Sequence, residues 1–465
     1  MSSLSLRGGG EVSDDLERDL GLYPTITISM GAMIGSGIFV LPALGFTKAG
    51  PAVVLAYVLA GLVVLPAALS KAEMATAMPE SGGTYLYIDR AMGPLFGTIA
   101  GVGAWFSLVF KSSFALVGLG AYLLLLVPLS SGLVKTVALV LAALIVVLNV
   151  VGTEQSGKAQ SIIVTAVVVT LGAYVLNAGF VVEPTRFQPF AAKGSGGVVT
   201  AAAFVFVSYA GVTKIASVAE EVEDPDRNLP LGMLGSMGIM MVIYALVVVA
   251  VVGMNDPAVL STSGPNGGPS LTPMADGAGQ LFGGVGVVVI SVVAVLALTS
   301  MANAGVLASS RFPLAMSRDS LAPRRLAHVS ERFKTPRNAI LLTGALLLVL
   351  IARVPVVELA KLASAFQILV FSFVNLALVA FRVSGVESYQ PSFRAPGYPY
   401  VQVVGLVGGL ALLTQIGTLP LLGAGGIIVG GIAWYLLYGR ARTDREGAVG
   451  AILDRRRSDE PVTSD

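Results

Sequence analysis

Gly35, Ser36 and Gly37 interrupt an otherwise apolar run at residues 28–42. Glycine is a poor helix former and lets the backbone leave helical dihedrals. The spacing therefore predicts two half-helices with a break between them. The half-helix after the break presents unpaired N–H groups and the positive end of its dipole, which suits a carboxylate. The half-helix before it ends in unpaired carbonyls, which suit an ammonium group or a cation. One break thus offers a partner to each pole of a zwitterion. Taken alone, the same glycines would also serve close packing of two helices.

A second interruption lies five apolar runs further on, in Phe204-Val205-Phe206-Val207-Ser208-Tyr209-Ala210-Gly211-Val212-Thr213-Lys214. Ser208, Tyr209 and Gly211 break the run, and Glu220, Glu221 and Pro225 follow it. Interrupted helices at matching places in two halves of a chain point to a substrate site near the bilayer midplane. Two breaks in register weigh against packing as their sole purpose.

Lysines are the other chemistry-bearing residues within apolar runs. Insertion of a lysine at a helix centre costs about 2.5–3.5 kcal/mol, so such residues face a cavity or a partner. Lys71 with Glu73, Lys214 with Glu220 or Glu221, and Lys361 with Glu358 could form local pairs near a cytoplasmic or outer end, but snorkelling of their stems to the interface is the reading preferred for them. Lys111, in Phe110-Lys111-Ser112-Ser113, has no acid nearby in sequence. Three roles stay open for it: an ion pair with another helix, contact with an anionic substrate side chain, or carriage of a proton. Lys158, at the start of the fifth run, reads as an interfacial anchor or as a desolvated lysine able to exchange its proton.

These residues must be held by helices in a bilayer. The chain has 465 residues, 55% hydrophobic and 12% charged, against about a quarter charged in soluble chains. Apolar runs long enough to span recur along it, about twelve in all. They fall near residues 23–46, 51–78, 94–127, 134–150, 158–180, 198–224, 231–252, 280–312, 339–351 and 355–381, with two more within 401–438. The acidic N-terminal residues read as a cytoplasmic segment and not as a cleaved leader. With both termini in the cytoplasm, most of the 29 Lys and Arg fall on the inner side, as the positive-inside rule requires. The basic stretch between Arg311 and Arg337 reads as a topology anchor, and the tail from Arg440 as polar and disordered.

Composition also excludes. There is no cysteine and one histidine, His328, in a polar loop, so no thiolate metal site and no nucleophile cluster of an enzyme. No phosphate-binding GxxxxGK[ST] loop is present, so any transport must draw on a gradient. The runs are too apolar for a continuous polar pore, and the tail is too short for a folded output domain of a sensor.

Four motifs resemble the amino acid–polyamine–organocation (APC) superfamily of permeases. They are Gly35-Ser36-Gly37-Ile38-Phe39; Pro79-Glu80-Ser81-Gly82-Gly83-Thr84-Tyr85; Glu220-Glu221-Val222-Glu223-Asp224-Pro225-Asp226-Arg227-Asn228-Leu229-Pro230; and Ser310-Arg311 with Ala315-Met316-Ser317-Arg318-Asp319, Pro323 and Thr335-Pro336. The resemblance implies an all-α membrane protein of the LeuT-type fold, with two inverted five-helix repeats (residues 23–180 and 198–383) and two extra helices (399–439), flanked by the segments 1–22 and 440–465. It implies that the N–H groups of Ser36, Gly37 and Ile38 hold a substrate carboxylate. The carbonyls of Met33, Val207 and Ala210 would take the α-amino group, beside Gly211, with Tyr209 the nearest ring to cover the substrate. Lys158 would replace a sodium ion, facing the carbonyls of Gly31 and Ile34 and a hydroxyl of Thr299 or Ser300, so the coupling ion would be a proton. Lys111 and Lys214 depart from the family pattern and bear on side-chain selectivity.

The expectation is therefore import of amino acids across the cell membrane by alternating access, coupled to protons and independent of sodium. An amino acid or polyamine exchanger and a membrane amino acid sensor are the alternatives. The expected partners are an amino acid, a proton and the lipid bilayer, with no nucleic acid and no cofactor. The absence of acids beside either break favours neutral or anionic substrates.

Overall fold

The computed structural model describes residues 19–79, 83–127, 130–152, 157–330, 332–387, 389–443, 445 and 447–450. The described residues are helical, and the only strand-like pairing among them is an isolated bridge between Leu20 and Val222. The first apolar run folds as α1 (Leu22–Met33), α2 (Ser36–Phe39) and α3 (Leu41–Ala49). Then come α4 (Val53–Ala77), α5 (Gly83–Met92), α6 (Pro94–Leu124), α7 (Val134–Val151) and α8 (Gly157–Ala178). The second interrupted run is α9 (Gly194–Val205) followed by a 3₁₀ stretch, Phe206–Glu221. The remainder is α10 (Pro225–Met254), α11 (Pro257–Thr262), α12 (Pro273–Arg318), α13 (Arg337–Arg353), α14 (Val356–Ser384), α15 (Tyr400–Gln415) and α16 (Thr418–Trp434).

Local chemistry sets many of these ends. Proline opens α6, α10, α11 and α12, where its missing N–H has no intrahelical partner to lose. Gly152 (φ 81°) and Gly385 (φ 58°) close α7 and α14 in the left-handed conformation that suits glycine. α12 begins at Pro273, seven residues before the expected start of the eighth run, and leaves helical dihedrals at Phe282 and Gly283.

Nine helical segments among the described residues are long and apolar enough to cross a membrane. The other three expected spans are the first, which the break divides, and α13 and α15, with 17 and 16 residues. α6 and α14 are buried over 89% of their apolar windows and form the centre, whereas α16 is buried over 17% and lies outside. α6 packs on α12, α14, α5 and α7, while α1 packs on α10, α8 and the 3₁₀ stretch.

Two polar networks tie the helices together at the end where α4 stops and α5 begins. Glu73, fully buried on α4, takes Arg382 of α14 at 2.8 and 2.6 Å, the Tyr389 hydroxyl at 3.2 Å and the Ala395 N–H at 2.7 Å. The Lys71–Glu73 pair that the sequence left open therefore does not form, and neither does Lys71 reach out to the interface. Residues two apart on a helix project from different sides, and Lys71 donates instead to the Thr84 hydroxyl of α5 at 2.7 Å. Lys361 and Glu358, three apart, do pair at 2.6 Å. Arg445, in the tail expected to be disordered, reaches Asp319 at 2.8 Å and Asp89 at 3.4 Å.

Candidate functional site

The first break is a true interruption. Ile34 is extended (φ −68°, ψ 118°) and Gly35 lies at φ 163°, ψ −132°, after which α2 restarts. The Ile38 and Phe39 N–H groups both donate to the Gly35 carbonyl, whereas those of Ser36 and Gly37 reach no backbone acceptor among the described residues. Of the three expected N–H donors, two are therefore open and Ile38 is not. On the other side of the break, the Gly31 and Ile34 carbonyls accept no hydrogen bond among the described residues. Ala32 and Met33 are engaged. The Lys111 ammonium donates to the Ala32 carbonyl at 3.0 Å, and the Tyr244 hydroxyl to the Met33 carbonyl at 2.7 Å.

The second break lies directly on the first. A Cβ placed on Gly211 would stand 2.3 Å from the Ala32 carbonyl carbon and 2.6 Å from the Met33 nitrogen. A Cβ on Gly37 would stand 2.9 Å from Ser208. Only glycine lets these stretches approach so closely. Three tyrosines pin the arrangement through backbone carbonyls: Tyr57 to Gly37 at 2.7 Å, Tyr209 to Tyr57 at 3.0 Å and Tyr122 to Phe39 at 2.8 Å. Tyr244 lies in the same cluster, its ring 5.4 Å from that of Tyr57 and 5.1 Å from that of Tyr209.

A cavity of about 530 Å³ runs from this junction to the exposed side chains of Arg311 and Arg318. Its inner end is bounded by Ala32, Ala210, Gly211, Lys111 and Met301. Of the expected binding residues, Ala210, Gly211 and Lys111 thus line the cavity. Met33, Ser36, Gly37, Ile38, Val207 and Tyr209 do not; they are buried behind it. Met301 stands between, its Sδ 3.9 Å from the Ser36 hydroxyl and 2.0 Å from where a Gly35 Cβ would sit. The ring of Tyr209, expected to cover a substrate, instead points into the tyrosine cluster. Beside Gly37, the Ser208 hydroxyl is buried without a hydrogen-bond partner among the described residues.

The expected coupling group gathers in part. Ser300 of α12 donates to the Gln160 side-chain carbonyl of α8 at 2.8 Å, and the Gln160 amide nitrogen lies 2.2 Å from the position of a Gly31 Cβ. α1, α8 and α12 therefore meet at Gln160, which sequence reasoning passed over although it lies within the quoted Lys158 stretch. Thr299 is exposed and takes no part; neighbouring residues on a 3.6-residue helix cannot both face one partner. The Lys158 side chain lies outside the described residues, as do Glu80, Ser81 and Gly82 of the second motif.

No trio of acidic or histidine side chains able to hold a metal occurs among the described residues. Near the outer end of the cavity, Tyr85 donates to Asp319 at 2.8 Å. Burial raises the Asp89 carboxyl to about 6, with Arg445 pulling it back and Asp319 adding to the rise.

Residues 20–438 match the amino acid permease family. The chain is similar to the branched-chain amino acid permease BcaP of Bacillus subtilis, with 30% identity over 91% of this chain and 94% of that protein. It is also similar to the methylthioribose transporter of Bacillus subtilis, at 28% identity over 84% and 87%. A third similarity is to the serine/threonine exchanger SteT of the same organism, at 24% over 86% and 91%.

Proposed function

The chain belongs to the amino acid permease family, and we propose on that footing that it imports amino acids across the cell membrane by alternating access, driven by protons and not by sodium. It is a multi-pass membrane transporter, as are its relatives. The observation that carries the reading is the contact of Gly211 with Ala32 at the inner end of a cavity of about 530 Å³. A broken helix and a 3₁₀ stretch meeting at a cavity would offer backbone donors and acceptors where a small zwitterion enters, much as transporters with paired broken helices do.

In this reading the open N–H groups of Ser36 and Gly37 receive the α-carboxylate, and Val207 and Ala210 offer carbonyls to the α-amino group. Met33 becomes available once Tyr244 turns away, and Met301 must move aside for the substrate to reach the break. Tyr209, Gly211 and Ile38 shape the site. The cavity opens to the cytoplasm, with both termini on that side, which agrees with the arginines at its outer end. The twelve-span, two-repeat organisation and the division into residues 23–180, 198–383 and 399–439 belong to the same proposal.

The carbonyls of Gly31 and Ile34, which accept no hydrogen bond among the described residues, support a cation site beside Ser300, which Lys158 would fill with its ammonium. The relatives' names span branched-chain amino acids, methylthioribose and serine/threonine exchange, so they do not agree on one cargo. Purified protein in liposomes tests the mechanism. Labelled amino acids should accumulate under an imposed proton gradient and ignore a sodium gradient, and Lys158→Ala should remove the proton dependence. Uptake that requires amino acid preloaded inside would identify an exchanger instead. Sodium-driven uptake would overturn the role given to Lys158.

A further inference from the structure

We propose that the cavity selects an anionic substrate, an amino acid bearing a second carboxylate, with Lys111 and Lys214 receiving that carboxylate. This rests on reading the two breaks as an amino acid site.

The cavity wall carries five cationic side chains, Lys71, Lys111, Lys214, Arg311 and Arg318, against three acids, Glu220, Glu221 and Asp319. The acids do not neutralise the inner lysines. Asp319 is held by Arg445 and Tyr85 at the outer end. Glu220 and Glu221 lie six and seven residues beyond Lys214, on the other side of the kink at Val218 (φ −127°, ψ 28°). Among the described residues no carboxylate comes within 4.0 Å of the ammonium groups of Lys71, Lys111 or Lys214.

The three lysines differ in what already holds them. Lys71 is satisfied in part by Thr84. Lys111 donates to Ala32 and lines the cavity, with two further N–H bonds to give. Lys214 makes no side-chain hydrogen bond or ion pair among the described residues; it feels the charge of Arg311, and Lys111 feels the charge of Lys214. A membrane protein places an ammonium group in a span only against a partner or a wet, functional cavity. Inner lysines that no described carboxylate pairs with favour an anion, and they oppose a cationic or polyamine cargo by repulsion. An ion pair with another helix, one of the three roles open for Lys111 in the sequence, is not made by any described acid.

The geometry separates the two carboxylates of such a substrate. The α-carboxylate belongs at Ser36 and Gly37, beyond Met301. The side-chain carboxylate extends back past Ala32 and Gly211 toward Lys111 and Lys214, on the cavity side. A neutral isostere fits the same space and leaves the lysines unpaired, so discrimination comes from charge and not from size.

Glutamate and glutamine differ by that charge at nearly equal volume, and they provide the test. Competition of each with uptake of a labelled amino acid mixture into proteoliposomes is measured for the wild-type protein, Lys214→Gln and Lys111→Gln. Glutamate should compete at least about tenfold better than glutamine, and Lys214→Gln should remove that advantage while glutamine competition persists. Melting temperatures of the purified variants show whether they fold, and the wild-type comparison needs no variant. Glutamine matching or exceeding glutamate in the wild type would overturn the proposal while leaving amino acid transport standing. Absence of uptake and of binding for every amino acid would overturn the functional reading itself, and this inference with it. A glutamate preference unaffected by Lys214→Gln and Lys111→Gln would overturn the residue assignment.

Discussion

Gly211 lies against Ala32 so closely that a Cβ on the glycine would come within 2.4 Å of the Ala32 carbonyl oxygen. The obstructing atoms are backbone, which cannot swing aside as a flexible side chain does. Gly211→Ala is therefore expected to push the two breaks apart, costing about 1–3 kcal/mol of stability as overpacking does, and to abolish uptake. Gly238→Ala, where a Cβ meets nothing within 4 Å, is the matched control and should retain both. Thermal melting in detergent and uptake in proteoliposomes read the two effects. Normal uptake in Gly211→Ala would remove the junction from the mechanism.

Tyr244 joins the same two breaks through its hydroxyl, which lies 2.7 Å from the Met33 carbonyl oxygen and 3.1 Å from that of Ser208. Tyr244→Phe keeps the ring and its contacts with Tyr57 and Tyr209 but leaves those carbonyls without this donor. A buried hydrogen bond of this kind contributes about 1 kcal/mol net. The variant should melt slightly earlier. If the substrate amino group competes with Tyr244 for Met33, its apparent KM for uptake should fall while the maximal rate changes in either direction. A raised KM would mean that Tyr244 organises the site and does not occlude it.

The first break was legible in the sequence from its paired glycines, and the structure puts it at Ile34 and Gly35; the second run instead changes from α to 3₁₀ at Phe206 and leaves helical dihedrals at Val218, seven residues beyond Gly211. Residues whose partners are distant in sequence were not legible. For Glu73 the sequence offered only Lys71, two residues away, as a possible local partner, but its partner Arg382 lies 309 residues further on. Lys361 and Glu358 were readable because a three-residue spacing places them on one helix face. Lys111 had no readable partner because Ala32 receives it with a backbone carbonyl, which leaves no mark in residue type. Met301 and Tyr244, which close the approach to the first break, are ordinary apolar and aromatic residues in the middle of long helices. Only the fold shows what they cover.

Glu73 has no exposed side-chain surface and is saturated by the guanidinium of Arg382, a tyrosine hydroxyl and a backbone N–H. Removing one partner of a buried pair leaves an uncompensated charge, at a typical cost of about 3–5 kcal/mol. Arg382→Ala should therefore be among the most destabilising single changes in the chain. The double variant Glu73→Gln/Arg382→Met should recover much of that loss, since no charge is left stranded. Melting temperatures of the two variants check this, and a double variant no better than Arg382→Ala would show that the packing of Arg382 over Tyr398 (4.4 Å to the ring centroid) matters more than its charge.

Arg445 binds Asp319 at the end of α12 and Asp89 on α5, and the consequence can be followed by pH. Burial lifts the Asp89 carboxyl from 3.8 to about 6 in the folded protein, against the pull of Arg445. A carboxyl that holds its proton more tightly when folded makes stability fall as pH rises from about 4 to about 6, with the full penalty present above that range. Arg445→Gln removes the nearest compensating charge, so the folded carboxyl should rise further and the penalty should grow. The variant should consequently melt well below the wild-type protein at pH 7.5. The gap should narrow as pH falls toward 4.5, because protonated Asp89 no longer needs the guanidinium. Melting temperatures of both proteins across pH 4.5–8 measure the gap directly. A gap that is constant with pH would mean that Arg445 acts through its contact with the Asp319 carbonyl at 3.3 Å and through packing, and not through Asp89.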